Sequence, residues 1–171
     1  MLLRMTPSLS SRLHAARIAT LEEMADALEI RRAVFIDEQH VPGDEEIDHY
    51  DDDPTVVEDA VHVLVHLASH DSEGDTEGEP IATGRLLLDD LPEARAHIGR
   101  VAVLAEHRRT GAGRVVMQWL QTEARRRRRP GITLSAQLQA IPFYERLGYT
   151  ARGEIFLDAA IEHRWMDLDF E

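Results

Sequence analysis

The segment Ile98-Gly99-Arg100-Val101-Ala102-Val103-Leu104, followed by Ala105-Glu106-His107 and Arg108-Arg109-Thr110-Gly111-Ala112-Gly113-Arg114, carries an apolar strand into a basic, glycine-containing turn. A helix is expected from near Gly111 to the Arg125–Arg129 block, where Pro130-Gly131 ends it. The first amides of a helix have no intrahelical partner, and its dipole is positive there. Glycine lets an anion approach the backbone, and flanking arginines add charge, so the turn suits a pyrophosphate. The same pattern also serves an ordinary strand–turn–helix in which glycine permits tight packing. It is not a Rossmann fingerprint, because position 116 is Val, and not a Walker A loop, because the chain has no Lys.

Outward from this segment the chain alternates short periodic stretches with turn signals. Ala15–Ala19 reads as a short strand, and Thr20-Leu21-Glu22-Glu23 as a capping box opening a helix from 21 to about 35. Asp37 to Asp59 holds eleven acids and no Arg, and reads as a loop with room for a short helix. Val61, Val63, Val65 and Leu67 alternate with His62, Leu64, His66 and Ala68, which is strand spacing. Ser69–Pro80 reads as a hairpin connection, and Ile81–Leu88 and His97–Leu104 as further strands. After the central helix come a strand at Ile132–Gln137, a short helix at Ile141–Leu147, and strands at Tyr149–Arg152 and Ile161–Phe170. The order β-α-β-β-β-α-β-α-β-β predicts a mixed α/β sheet rather than a doubly wound βαβ repeat. Residues 1–14 read as a flexible arm and 15–171 as one domain.

Composition narrows the chemistry. The 171 residues suit one domain. There is no Cys, hence no disulfide, thiolate nucleophile or Cys-ligated metal; with no Lys there is no Schiff base. The formal charge is −13, concentrated in residues 1–90, which carry −16 against +3 for 91–171. Such acidity repels nucleic acid; it suits a cationic substrate and, more simply, a solvated or salt-adapted surface, while a GC-rich genome also replaces Lys with Arg. No apolar run approaches about 20 residues and no signal peptide is apparent, which predicts a soluble, cytoplasmic protein.

Arg108-x-x-Gly111-x-Gly113 after an apolar strand resembles the acetyl-CoA loop of the GNAT superfamily of N-acetyltransferases. Ala136-Gln137 with Pro142-Phe143-Tyr144-Glu145-Arg146-Leu147-Gly148-Tyr149 resembles that superfamily's second signature, in the right order about 30 residues later. Arg32-x-Val34-Phe35-x-x-Glu38-Gln39, Glu46-x-Asp48, Gly84-Arg85, Gly153-Glu154-Ile155-Phe156 and Ile161-x-His163-x-x-Met166 extend the resemblance to the ElaA-like branch, over roughly residues 15–168. The arm before residue 15 and the acidic insert Asp71–Glu79 depart from it.

The resemblance implies a GNAT acyl-CoA N-acyltransferase fold: a mixed, mostly antiparallel sheet with splayed central strands, flanked by helices. It implies acetyl-CoA as co-substrate and direct transfer of acetyl to an amine, with a small primary amine as the expected acceptor. The pantetheine arm would pair with backbone at Val101, Ala102 and Val103. The pyrophosphate would lie on Arg108, Arg109, Thr110, Gly111, Ala112, Gly113 and Arg114. Tyr144 would touch the cofactor and protonate the departing thiolate, whereas Tyr149 matches a packing aromatic. Many members of the family pair through their late strands, so the resemblance leaves a homodimer open.

The general base is less determined. Many members place a carboxylate on the strand before the loop, and His97–Leu104 has none. Glu38 is taken as the base, with Asp37, His62, His97, His163 or a water as the other candidates. His62 and His66 share a strand face, but with no third ligand at a telling spacing no metal is expected. Arg85 and Arg100 sit mid-strand and need partners, either an acid such as Glu38 or Asp48, or a substrate anion. Arg125–Arg129 reads as a solvated helix end rather than a nucleic-acid patch, because cations complement the dipole there. The rival to the enzyme is a catalytically silent module of the same fold that binds acyl-CoA as a sensor or interaction subunit.

Overall fold

A computed structural model describes residues 12–68 and 78–171. Its elements are β1 (Leu13–Arg17), α1 (Leu21–Arg31), α2 (Gly43–Glu46), β2 (Ala60–Leu67), β3 (Glu79–Leu87), β4 (Ala96–Val103), α3 (Ala112–Arg126), β5 (Gly131–Gln137), α4 (Ile141–Glu145), β6 (Thr150–Asp158) and β7 (Ile161–Asp169). The seven strands form one sheet in the order β1-β2-β3-β4-β5-β7-β6. Every pairing is antiparallel except β4 with β5. The expected mixed sheet, its splayed centre and its flanking helices are all present. Residues 1–11 of the expected arm 1–14 and residues 71–77 of the acidic insert Asp71–Glu79 lie outside the described residues; β1 begins at Leu13, inside the expected arm.

The period-2 alternation of β2 sorts its side chains to two faces. Val61, Val63 and Val65 pack with Val116, Met117, Leu120 and Ala124 of α3, while Leu64 packs with Met24, Ala27 and Ile30 of α1. Thr20 caps α1 as the sequence predicts: its hydroxyl accepts from the Glu23 amide, and Glu23 accepts from the Thr20 amide. Helix α3 lies so close to β3 that a Cβ on Gly84 would stand 2.6 Å from Val116 Cγ1.

Two boundaries differ most from the sequence reading. The first helix does not run evenly to 35; after Arg31 it widens into a π-helical segment, Arg32–Glu38. Such segments disturb the register of one helix face and concentrate at functional sites. Strand β6 does not stop at Arg152 but continues to Asp158, past an irregular bulge in which Gly153 has φ 67°. As an edge strand largely open to solvent, β6 shows no alternation, and Gly153 looks like its end.

The β6–β7 turn is strained. Asp158 pairs with Ile161, and the two residues between, Ala159 and Ala160, have φ of 47° and 62°. This is the territory of Asn-Gly. Replacing Ala159 with Asn together with Ala160 with Gly is expected to raise unfolding free energy by about 1 kcal/mol. Urea unfolding checks it; a lower midpoint would show that the turn carries no such strain.

Candidate functional site

Strands β4 and β5 pair over only three residues each, Ala96–Ile98 against Ile132–Leu134. Beyond them β4 stays bonded to β3 and β5 to β7, so the two strands part. The bend sits at a bulge: Thr83 faces Ala102 and Arg85 faces Gly99, leaving Gly84 opposite both Arg100 and Val101. Arg100 adopts φ 54°, a conformation usually left to glycine at a bulge. A cavity of about 210 Å³ opens where the strands diverge. Its walls include Gly99, Arg100 and Val101 from β4, Ser135 and Gln137 from β5, and Tyr144 from α4. Phe35 and Gln39 close one side, with Glu45 and Glu46 of α2; the β6–β7 turn supplies Asp158 and Ala159. The Ser135 Oγ is buried on this wall with no hydrogen-bond partner among the described residues.

The basic turn leads directly from this opening. Arg109 has φ 65° and Gly111 has φ 99°, and no side chain caps α3. The Thr110 hydroxyl donates to the His107 carbonyl at 2.6 Å and fixes the turn. The first helical bond is the Val115 amide to the Gly111 carbonyl, so the amides of Ala112, Gly113 and Arg114 have no intrahelical acceptor. Among the described residues nothing lies within 4 Å of a Cβ placed on Gly111. Arg109 and Arg114 have no ion-pair partner among the described residues. The expected residues 108–114 are thus together, at an open helix start beside the parted strands.

Arg108 is the exception in role. Its guanidinium donates to Glu38 at 2.8 and 2.5 Å and its Nε to the Val103 carbonyl at 3.2 Å. Glu38 therefore faces the loop and not the cavity, and its bonds from Arg108 hold its carboxyl below the usual range. Neither Asp37 nor His62 reaches the cavity. His62 is buried and bonded to the Tyr50 carbonyl at 2.9 Å. His97 and His163 do line it. Burial pushes the His97 ring down, helped by the charges of Arg85 and Arg100, and Trp165 meets it edge-on. His163 Nδ1 lies 2.9 Å from the Ile161 carbonyl, which can only accept, so Nδ1 carries the proton. Burial pushes the Tyr144 phenol up to about 12, which keeps it protonated and able to donate. Tyr149 is core, as expected, with its hydroxyl accepting from Gln121.

Behind the Glu45–Glu46 wall lies a network that the sequence only partly disclosed. Arg31, at 1% exposure, donates to Glu46 and Asp51, both at 2.5 Å. Arg85 grips Asp48 at 2.7 and 2.8 Å and reaches Asp51 at 3.0 Å. Arg100 pairs with Glu46 at 3.0 Å. Of the partners expected for Arg85 and Arg100, Asp48 is present and Glu38 is not. Arg31 was legible in principle: it stands four residues after Ala27 and seven after Met24, on the apolar face of α1, where an arginine needs a buried acid. The Arg125–Arg129 block is mostly spent locally. Arg126 and Arg127 bind Glu123, Arg125 lies over the Phe170 ring, and Arg129 binds backbone carbonyls of Asp89 and Leu91. Among the described residues there is no group of three metal-ligating side chains, and no helix is long and apolar enough to cross a membrane.

The model of the acetyltransferase (GNAT) family matches residues 22–149. An uncharacterised N-acetyltransferase of Bacillus subtilis, YjcF, is 34% identical over 86% of this chain and 94% of its own. An acyl-CoA N-acyltransferase structure from Pseudomonas aeruginosa superposes with a TM-score of 0.71 at 29% identity, covering 91% of this chain and 98% of its own. Escherichia coli ElaA shares the fold with a TM-score of 0.72 at 23% identity, covering 91% and 98%.

The network makes an acid-limb prediction. Burial pushes the Asp51 carboxyl up, but Arg31 and Arg85 outweigh it and hold it at about 2, against 3.8 when unperturbed. A depressed folded value stabilises the protein above the unfolded value, and that stabilisation is lost as pH falls through the folded one. Stability is expected to drop by about 2 kcal/mol between about pH 4 and pH 2 from this group. Asp51→Asn should be less stable at pH 7 and decline less over that window; an equal acid decline in both proteins would remove Asp51 as the cause.

Proposed function

Because the chain belongs to the GNAT acetyltransferase family, we propose that it transfers an acetyl group from acetyl-CoA directly to a primary amine of a small molecule. The observation that carries this reading is the parting of β4 and β5 beside an uncapped helix start, with Tyr144 in the gap. The residues suit the cofactor. Amides of Ala112, Gly113 and Arg114, with Arg109 and Arg114, would hold the pyrophosphate, and the space before Gly111 admits it. Backbone at Val101–Val103 would pair with the pantetheine arm, and the unpartnered Ser135 hydroxyl offers a further polar contact across the gap. The Leu104 amide donates toward β3, to the Ile81 carbonyl, so by alternation the Val103 amide points into the gap, where it can donate to the thioester oxygen as charge develops.

The amine attacks the thioester carbon as a neutral nucleophile. Of the candidate bases, His97 combines a place on the cavity wall with a ring held neutral by burial, and takes the amine's proton. The carbon–sulfur bond breaks, and the Tyr144 hydroxyl protonates the leaving thiolate. Glu38 acts instead through Arg108, tying the loop to the end of the first helix. The acceptor is cationic in this reading. Glu46, Asp48 and Asp51 are paired with arginines, but Glu45 and Asp158 also line the cavity, without an ion-pair partner among the described residues.

Thiol release from acetyl-CoA with a panel of small amines tests the reading. Tyr144→Phe should lower turnover by about 100-fold with acetyl-CoA affinity nearly unchanged; unaltered turnover would place the acid elsewhere. Gly111→Glu should abolish acetyl-CoA binding by calorimetry, where the native chain is expected to bind with about −8 kcal/mol, a micromolar affinity. Tight binding with no thiol release for any amine would instead favour the silent acyl-CoA-binding module.

A further inference from the structure

Arg100 occupies an expensive position. Its φ of 54° costs a non-glycine residue about 1–2 kcal/mol, so a glycine would hold the bulge more cheaply. The side chain is where the return lies. Nε donates to the Glu46 carbonyl and Nη2 to the Glu45 carbonyl, both at 3.0 Å. Nε also lies 3.0 Å from the Glu46 carboxylate, whose other oxygen accepts from Arg31. Arg31 Nη2 donates to the same Glu46 carbonyl at 2.6 Å. The last residues of α2 are therefore held by their main chain as well as by a side chain, from two arginines on two different elements.

These contacts join the two sides of the cavity. Glu45 and Glu46 form the wall on the α2 side, and Arg100 stands next to Val101, at the start of the backbone run proposed to carry the thioester. Helix α2 is four residues long and has no side-chain cap, so it contributes little rigidity of its own. Arg31 ties this wall to α1, and Arg100 ties it to β4.

Resting on the proposed reaction, we infer that Arg100 is a positioning residue for the acceptor: it fixes the Glu45–Glu46 wall against the β4 bulge and so sets where the amine stands relative to the thioester. Misplacing a reactant by about 1 Å can cost on the order of 100-fold in rate. A purely structural ion pair would instead lower stability and leave the kinetics of the surviving folded protein alone.

Arg100→Gly is the informative variant, because it deletes the clamp while relieving the backbone strain, and so should remain folded. Arg100→Lys keeps the charge but not the fork to two carbonyls. In the native protein, thiol release with the amine panel first establishes the reaction. Arg100→Gly is then expected to raise the acceptor KM, lower kcat/KM at least 10-fold, and leave the acetyl-CoA Kd within 2-fold; Arg100→Lys should restore only part of the loss. Amide hydrogen exchange gives a readout independent of turnover: residues 43–47 should exchange at least 10-fold faster in Arg100→Gly. Unchanged acceptor kinetics in a folded Arg100→Gly, or unchanged exchange at 43–47, overturns the inference. An inactive native protein overturns the reaction instead, and the exchange comparison still reports whether the clamp exists.

Discussion

Three pairs of residues at the start of β4 and β5 are all that join the two halves of the sheet, and everything beyond them follows from where that pairing stops. Two parallel strands that continued side by side would satisfy each other's amides and leave no opening. Here the bulge at Arg100–Val101 bends β4 toward β3, while β5 follows β7. The backbone left facing the gap is a row of polar groups unpaired by the sheet, and such groups need partners. The same strand then delivers the chain to Gly111, where α3 opens with three amides unfilled. The gap and the helix start are thus adjacent because β4 and α3 are consecutive, not through any long-range coincidence.

Helices secure the two faces of the sheet in different ways. Helix α3 is held by apolar packing against β2 and β3, with Gly84 allowing its close approach. The opposite face is held in part by charge. Arg31, Arg85 and Arg100 meet Glu46, Asp48 and Asp51 in a balanced set, mostly buried. Burying such charges is costly, and apolar replacements of similar volume are often at least as stabilising. What the ion pairs supply is direction: the guanidinium forks fix a loop between residues 43 and 51 that has few apolar side chains of its own. That loop is also the wall of the cavity, so the charge network belongs as much to the site as to the fold.

Much of this is legible in the sequence. The alternation of Val61, Val63 and Val65, the capping box at Thr20–Glu23 and the glycine-containing turn at 108–114 each rest on local rules, and each has its expected structure. The illegible parts depend on partners distant in sequence. Glu38 looked like a base at the end of a helix, but Arg108, seventy residues away, claims it. Glu46 enters the sequence reading only as part of a motif, and Asp51 only as one of eleven acids in a loop, yet both are buried against Arg31. The π-helical widening after Arg31 leaves no trace in a pattern read at helical spacing, and β6, open on an edge, offers no alternation to read.

The account stands or falls on the gap between β4 and β5 being the seat of the cofactor. Hydrogen exchange of the full chain with and without saturating acetyl-CoA addresses this amide by amide. The account predicts slowed exchange at Val101–Val103 and at Ala112–Arg114, with β1 and β2 unaffected. Binding that protects other segments and leaves both of these unchanged would contradict it.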